Sequence, residues 1–133
     1  MEIDYLMAGD YVQLFETDSH RNKFYKVIAI DSESGNVTIS DGNNDKLTIS
    51  CDRLFPVPLN NKVMKRIGFE RNGGSSSLTI GGITIRIFHW SDYSLELIIY
   101  GDDLTPIIKL KVMFVHEIQH LLKQVKVKEC IKL

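Results

Sequence analysis

The stretch LTIGGITIRI, residues 78–87, constrains the fold of this chain more than any other. Two glycines, Gly81 and Gly82, separate runs in which apolar and polar residues alternate. A two-residue turn between antiparallel strands needs positive φ angles, which glycine adopts without steric cost. The sequence therefore predicts a β-hairpin whose second strand has two different faces. Ile83, Ile85 and Ile87 lie on one face, and Thr84, Arg86, Phe88 and Trp90 lie on the other.

The first sixty residues also read as short strands joined by turns. Alternating or β-branched runs predict strands at residues 10–16, 23–31, 37–40 and 46–51. In the last run, Leu47, Ile49 and Cys51 are expected to face inward. A meander of such strands avoids exposed edges by curling up, so we expect a small, barrel-like antiparallel sheet.

A short helix is predicted where this sheet ends. Asn60 is a good N-cap, Gly68 is a good C-terminal stop, and Leu59 and Met64 are spaced for a hydrophobic staple. After it, the polar stretch RNGGSSS (71–77) suggests either a mobile hairpin loop or the seam between two halves, with Ser75–Ser77 as loop.

The C-terminal third combines a strand with an amphipathic helix. Residues 94–100 predict a strand, whereas residues 106–111 fit either a last strand or an early helix start. From about residue 111 the apolar spacing is helical, and the tail KVKECIKL is compatible with a short closing strand. The expected apolar helix face is formed by Phe114, Val115, Ile118, Leu121, Leu122 and Val125.

Together these patterns predict an α+β protein in two parts. Residues 1–58 would form the antiparallel, barrel-like β subdomain, and residues 59–133 the short helix, the second antiparallel hairpin set and the C-terminal helix packed on it. A chain of 133 residues suits one domain or two small subdomains.

Composition narrows the class of protein. Apolar residues make up 44% of the chain and charged residues 25%, which is typical of globular proteins. The net charge of −1 indicates no global attraction to nucleic acid or membrane, although residues 109–133 carry six Lys and two Glu. No signal peptide is recognisable, and no apolar run approaches the roughly 20 residues of a membrane span. We therefore expect a soluble, cytoplasmic protein that does not bind membranes.

The two cysteines give no framework for a disulfide or a zinc finger. Cys51 and Cys130 are far apart and belong to no C-x-x-C pair. We expect both to be buried free thiols.

The segment FVHEIQH contains H-E-x-x-H, the pattern of a zinc-peptidase helix. His116 and His120 could share a metal, with Glu117 polarising its bound water, but a catalytic zinc also needs a third protein ligand. No spacing singles one out among Asp102, Asp103, His89 and Glu129, and Lys123 places a positive charge one turn beyond His120. We therefore interpret the segment as the solvated face of an amphipathic helix, formed by His116, Glu117, Gln119, His120, Lys123 and Gln124.

Aromatic residues cluster around the predicted hairpin and invite a second interpretation. Alternation places Arg86, Phe88 and Trp90 on one face, as a platform for stacking nucleic-acid bases would require, with His89, Tyr93 and Tyr100 nearby. Against this, residues 1–108 carry a net charge of −5, so core packing of Phe88 and Trp90 under a helix is favoured.

Three stretches, LMAGDYVQL, FPVPLNNKVMKRIGFE and VHEIQHLL, occur in an order that resembles a family of small uncharacterised proteins of gut Bacteroidetes. Many of its members are encoded near prophage or other mobile elements. The resemblance implies that context and no mechanism. The family pattern has Asn where this chain has His120, so a second metal ligand would be peculiar to this chain.

No catalytic, cofactor-binding or metal-binding residue is predicted. The leading hypothesis is a small non-enzymatic binding or accessory protein of a mobile-element setting, with a protein or nucleic-acid partner. The alternatives are a zinc-dependent hydrolase using the HEIQH helix and a single-stranded nucleic-acid binder using Phe88 and Trp90.

Overall fold

The computed structural model describes residues 1–14, 23–43, 45–92, 94–101, 106–125 and 131–133. The chain divides into two compact units, Met1–Val57 and Pro58–Leu133, called here the N-terminal and C-terminal units. Each contains a five-stranded antiparallel sheet, and the helices lie in the second, which confirms the α+β class. Within the described ranges, no helix is long and apolar enough to cross a membrane.

The N-terminal unit is a meander with one strand added at its edge. The sheet has the order β4-β3-β2-β1-β5, and no ladder between described residues joins β4 to β5, so closure into a barrel stays a prediction. Its strands are β1 Tyr11–Gln13, β2 Tyr25–Asp31, β3 Asn36–Ser40, β4 Lys46–Ser50 and β5 Phe55–Pro56.

One face of this sheet forms the core of the N-terminal unit. Val37 and Ile39 of β3 are fully buried, as their alternation predicts. A register shift between Val27 and Ala29 interrupts β2, and beyond it Ile30 packs against the same core as Val27.

Leu47 lies opposite Ile39 of β3 and Cys51 packs against the core, so both are on the inward side as predicted, although neither is fully buried. Leu47 lies near the start of edge strand β4 and is exposed, whereas Ile49 is buried. Cys51 begins a short 3-10 turn, Cys51–Arg53, after the strand has ended, and it is a half-buried free thiol. Cys130 lies outside the described residues.

The C-terminal unit contains two helices and the sheet of order β10-β9-β8-β7-β6. Its elements are α1 Asn61–Ile67, β6 Glu70–Asn72, β7 Ser75–Ile80, β8 Ile83–His89, β9 Leu95–Tyr100, β10 Pro106–Val112 and α2 Val115–Gln124.

The signals that predicted α1 and the hairpin are both confirmed. The Asn60 side chain accepts a hydrogen bond from the Val63 amide at 2.9 Å, and Gly68 ends the helix in the left-handed conformation. Gly81 and Gly82 both have positive φ, and Ile80 pairs directly with Ile83. The hairpin therefore closes through the two-residue turn that the glycines indicate.

Two segments of the C-terminal unit differ from prediction. RNGGSSS is not a loop: Arg71 and Asn72 belong to β6, Ser75–Ser77 begin β7, and the glycines between them make a second tight turn. The start of β7 is hard to recognise in the sequence because Ser75–Ser77 are all small and polar and show no apolar alternation. Residues 106–111 form the last strand rather than an early helix, since β10 pairs along β9 as far as Val112.

The apolar stripe of α2 is confirmed in its middle and shorter at both ends. Val115, Ile118, Leu121 and Leu122 are buried, whereas Phe114 is the N-cap residue and Val125 the C-cap residue. The helix begins four residues later than predicted because β10 occupies residues 106–112. Most of the possible closing strand, residues 126–130, lies outside the described residues.

One face of the second sheet is apolar, and this face is buried. Ile85, Ile87, Leu97 and Ile99 are fully buried, and Val63 and Met64 of α1 are buried as well. Opposite residues of antiparallel strands point to the same side, so the residues between these isoleucines and leucines must all point to the other side.

Candidate functional site

The HEIQH segment lies at the start of α2, where Glu117 has a clear structural role. One carboxylate oxygen of Glu117, Oε1, accepts hydrogen bonds from the amides of Met113 and Phe114, both at 2.8 Å. These two donors precede the helix, and the first amides of a helix have no partner inside it. Glu117 therefore supplies the glutamate half of a capping box. Phe114 has no side-chain acceptor, so the other half is missing.

The two histidines of the segment are neighbours on one helix face. Their ring centroids lie 5.5 Å apart with the planes at 67°, and the His116 ring stacks on Phe114 at 5.7 Å. The predicted solvated face is only partly correct. Lys123 and Gln124 are exposed, whereas His116, Glu117, Gln119 and His120 are half-buried.

Within the described part of the chain, no third metal ligand lies beside this pair. Among the residues that the structure describes, no group of three or more His, Cys, Asp or Glu side chains is placed to hold a metal ion. His89, one of the ligands considered, hydrogen-bonds through Nε2 to the Ser76 hydroxyl at 3.1 Å. Asp102, Asp103 and Glu129 lie outside the described residues. The segment offers two imidazoles and a carboxylate already used as a cap.

A more distinctive arrangement occupies the other side of the second sheet, which we call the outer face. Strand register assigns its residues, because Arg86 lies opposite Ser77 and Ile98, and Ile98 lies opposite Lys109. None of its members is buried, in contrast to the isoleucines of the inner side. They include Glu70, Asn72, Ser75, Ser77, Thr79, Thr84, Arg86, Phe88, Glu96, Ile98, Tyr100, Lys109 and Lys111.

Three side chains form a stack along β8 and just beyond its end. The Phe88 and Trp90 rings stack with centroids 6.4 Å apart and planes at 24°. The guanidinium of Arg86 lies 6.0 Å from the Phe88 centroid, at cation–π distance. The prediction that these residues share one face is confirmed. We call Arg86, Phe88 and Trp90 the outer-face stack.

The prediction that Phe88 and Trp90 pack in the core is wrong. Trp90 is 54% exposed and Phe88 is half-buried. The reason is the alternation itself, because Ile85 and Ile87 take the buried side of β8 and leave the even-numbered residues on the outer face. Trp90 and the half-buried Phe88 together leave a continuous aromatic surface open to solvent.

Charged and aromatic groups lie beside the stack on the same face. Tyr100 lies opposite Thr84, and Lys111 lies opposite Glu96, which itself lies opposite Phe88. Lys109 Nζ lies 3.5 Å from Glu96 Oε1, and because the lysine is largely exposed this ion pair contributes little stability. The face thus combines aromatic rings with three cations, Arg86, Lys109 and Lys111, and two acids, Glu70 and Glu96. Tyr93 lies outside the described residues.

Next to Trp90 the C-terminal unit has an open cleft of about 660 Å³, which we call the Trp90 cleft. Leu59, Met64 and Leu95 give it an apolar floor. Its polar lining is Asn60, Asn61, Arg71, His89, Ser91 and Ser94. A cleft of this size with a few convergent polar groups is typical of small-molecule sites.

The polar groups of the Trp90 cleft are held by their own hydrogen bonds. Arg71 donates from Nη1 to Asn61 Oδ1 at 2.7 Å and from Nε to the Gly73 carbonyl at 3.3 Å. Partial burial, and then the positive charge of Arg71, lower the pKa of His89 below its usual 6.5. At neutral pH the cleft therefore presents a cationic guanidinium beside a neutral imidazole.

The search for similar proteins adds no assignment: no family model, no curated protein and no solved structure matches this chain. The resemblance to proteins of gut Bacteroidetes therefore stays a prediction. The function has to be inferred from the geometry and the charge of the described residues.

The distribution of charge follows the division into units. Residues 1–57 contain five Lys and Arg against ten Asp and Glu, a formal net charge of −5. Residues 58–133 contain eleven Lys and Arg against seven Asp and Glu, a net charge of +4. The acidic excess that counted against a nucleic-acid platform thus belongs to the unit that does not carry the outer-face stack.

Sequence reasoning missed Arg71 and Asn61 as partners in a cleft. They are 10 positions apart and come into contact because residues 70–72 form β6, whereas the sequence predicts a loop from residue 71. One signal was present in the sequence: Ser76, Leu78 and Ile80 alternate with Ser75, Ser77 and Thr79, which is the period of a strand.

Proposed function

We propose that this chain is a non-enzymatic binding protein and that the outer face of its second sheet binds single-stranded nucleic acid. The observation that carries the proposal is the outer-face stack, in which a 54% exposed Trp90 stacks on Phe88 and Arg86 lies over Phe88. Every base has a π-face, so such a stack holds bases without reading their sequence.

Aromatic surface that is exposed to water costs free energy. An indole in water gains free energy when a planar group covers it, and stacking on a base is worth about 1–3 kcal/mol. The antiparallel sheet fixes the spacing of Phe88 and Tyr100 on neighbouring strands, which lets several bases of one strand be held at once. Single-stranded bases are free to stack, whereas those of a duplex are already stacked on one another.

Cations around the stack add an electrostatic attraction for the phosphates of a nucleic acid. Arg86, Lys109 and Lys111 lie on the same face, and the unit that carries them has a net charge of +4. Phosphate neutralisation supplies most of the affinity of non-specific nucleic-acid binding. An acidic peptide would satisfy the same cations, but it would not need the aromatic rings.

The test is a fluorescence titration of the single tryptophan with a short single-stranded oligonucleotide at low salt. We expect quenching of Trp90, together with loss of about 5- to 100-fold in affinity for Phe88→Ala, because one stacking contact is removed. Phe55→Ala is the matched control, since Phe55 is an exposed phenylalanine of the N-terminal unit. Its affinity should equal that of the wild type.

Two outcomes would overturn the nucleic-acid assignment. One is an unchanged Trp90 spectrum at saturating oligonucleotide and low salt. The other is equal loss of affinity in the Phe88 and Phe55 variants, which would show that the stack has no special role. A protein partner would then be the next hypothesis for this face.

The assignment to a non-enzymatic class rests on Glu117. Its Oε1 atom accepts from the amides of Met113 and Phe114, which gives the carboxylate a structural role that requires no catalysis. Hydrolytic turnover by the pure protein that disappears in Glu117→Gln, with one zinc per chain by elemental analysis, would restore the hydrolase alternative.

Three finer expectations from the sequence accompany the proposal. They are the barrel-like form of the first sheet, a cytoplasmic location and a mobile-element setting. A β4–β5 contact seen by nuclear Overhauser effects would support the first, cell fractionation tests the second, and the neighbouring genes test the third. Chromosomal neighbours without phage or transfer genes would remove the mobile-element setting.

A further inference from the structure

We infer that the Trp90 cleft holds the phosphorylated terminal nucleotide of the bound strand, with the phosphate monoester on Arg71 and the base on Trp90. The inference rests on the proposed binding of single strands by the outer face. It adds a second site on the opposite side of Trp90 and gives the protein a preference for one kind of strand end.

Trp90 connects the two sites. Its ring stacks on Phe88 of the outer face and also lines the cleft. The strand β8 ends at His89, one residue earlier, so Trp90 lies beyond the ladder at the rim of the sheet. A nucleic-acid strand that runs along the stack reaches the cleft at Trp90.

The cleft has the donors that a phosphate monoester requires. Arg71 is held in place by bonds to Asn61 and Gly73, and a guanidinium carries further N–H groups that suit a phosphate. Asn60 and Ser91 line the same cleft, whereas the hydroxyl of Ser94 already donates to Asp92 at 2.6 Å. Asn60 Oδ1 already accepts from the Val63 amide, which leaves its NH₂ group to donate.

The charges around the cleft favour a dianion over a cation. Arg71 is the charged residue in its lining, and the pKa of His89 is lowered by burial and by Arg71 itself. The nearest acid of the 91–94 turn, Asp92, accepts from the Ser94 amide and hydroxyl and lines a neighbouring cleft together with Lys111. That cleft shares Leu59, Ser94 and Leu95 with the Trp90 cleft. A terminal phosphate carries more negative charge than an internal diester, so it gains more from Arg71.

The shape of the lining favours a nucleotide over inorganic phosphate. Leu95 and the exposed Trp90 provide apolar surface that a free phosphate would leave uncovered, whereas a ribose and base would cover it. The cleft volume of about 660 Å³ is far larger than a phosphate ion needs.

The experiment titrates Trp90 fluorescence with one oligonucleotide sequence in three forms: 5′-phosphorylated, 3′-phosphorylated and unphosphorylated. We expect one of the phosphorylated forms to bind about tenfold more tightly than the unphosphorylated form, as one charge-assisted contact allows. Arg71→Gln should remove that difference and leave the affinity for the unphosphorylated form within about twofold. Arg66→Gln, which changes an exposed arginine of α1, is the control and should keep the difference.

A second measurement does not depend on the affinity of a variant. The ³¹P resonance of the terminal phosphate should shift on binding to the wild type and should shift less on binding to Arg71→Lys, which keeps the charge and loses the planar donor pair. Circular dichroism should show that both Arg71 variants are folded.

The outcomes separate this inference from the function on which it rests. Equal binding of all three forms by the wild type, with normal quenching, overturns the cleft assignment and leaves the outer face as a binder. No quenching by any form overturns both. A phosphate preference that survives in Arg71→Gln shows that the terminal phosphate binds elsewhere and also overturns the inference.

Discussion

His89 and Trp90 are neighbours in the chain and both line the Trp90 cleft, but they differ in how far they are exposed. The His89 imidazole is half-buried beside the buried Ser76, whereas the Trp90 ring is 54% exposed on the outer face. Successive residues of a strand point to opposite sides, so the same alternation that protects one ring exposes the other. At this scale, function depends on which side of β8 a residue occupies.

The lowered pKa of His89 predicts a pH dependence of stability. In the unfolded chain His89 titrates near 6.5, and in the folded protein it holds its proton less tightly because of burial and Arg71. The contribution of neutral His89 is therefore complete above pH 6.5 and is lost as the pH falls through the lowered folded value. We expect the unfolding free energy of His89→Gln to fall less steeply with acid than that of the wild type.

Urea denaturation at a series of pH values measures this difference. His120→Gln serves as the control, because it removes an imidazole from α2 and leaves His89 in place. Parallel pH profiles for the wild type and His89→Gln would contradict the prediction.

At the scale of elements, α2 shows how a helix start is made from a motif that resembles a metal site. β10 ends at Val112, and the chain must then leave the ladder and enter the helix within two residues. Glu117 makes this possible by accepting from the Met113 and Phe114 amides. His116 and His120 are then one turn apart as a consequence of the helix, whether or not they bind anything.

Glu117→Ala is accordingly expected to destabilise the protein by about 1 kcal/mol, the usual cost of losing a helix cap. Glu117→Gln keeps an acceptor oxygen and should cost less. Gln124→Ala, at an exposed position of the same helix, is the control and should change the unfolding free energy by less than about 0.5 kcal/mol. Equal effects of Glu117→Ala and Gln124→Ala in urea denaturation would exclude the capping role.

At the scale of the whole molecule, the chain carries nearly balanced charge that is divided unevenly. The net charge of −1 conceals −5 on the N-terminal unit and +4 on the C-terminal unit. The long-range attraction of a charged partner depends on how charge is distributed over the surface as well as on the net charge. The basic unit is the one with the outer-face stack and the Trp90 cleft.

This division predicts how oligonucleotide binding responds to salt. If Arg86, Lys109 and Lys111 each neutralise a phosphate, a plot of log affinity against log salt concentration should have a slope of about −2, from about 0.7 per phosphate on a single strand. Lys111→Gln should make the slope shallower by about 0.7. Lys46→Gln on edge strand β4 of the acidic unit should leave it unchanged. A slope near zero for the wild type would show that phosphates are not contacted.

Much of the fold could be predicted because its signals are local. Asn60, Gly68 and the Gly81-Gly82 pair act through their own backbone and nearest neighbours, so propensity and capping rules apply to them directly. The strands within 71–77 are harder to predict, because their small polar residues show little apolar alternation and are held by pairing, β6 with β7 and β7 with β8. Part of the candidate site could be predicted from the sequence. Alternation places Arg86, Phe88 and Trp90 on one face, whereas no sequence pattern predicts the Arg71–Asn61 contact.

The sequence by itself determined the hairpin, the two helices, the antiparallel class and the face on which each residue of β8 lies. Each of these depends on the period of the side chains or on the φ angles that a residue allows. Only the tertiary structure decided which face of the second sheet is buried, that Glu117 caps α2, and that Trp90 is open to solvent beside a cleft with Arg71. Burial and convergence depend on contacts between residues distant in the chain, and no local pattern records them.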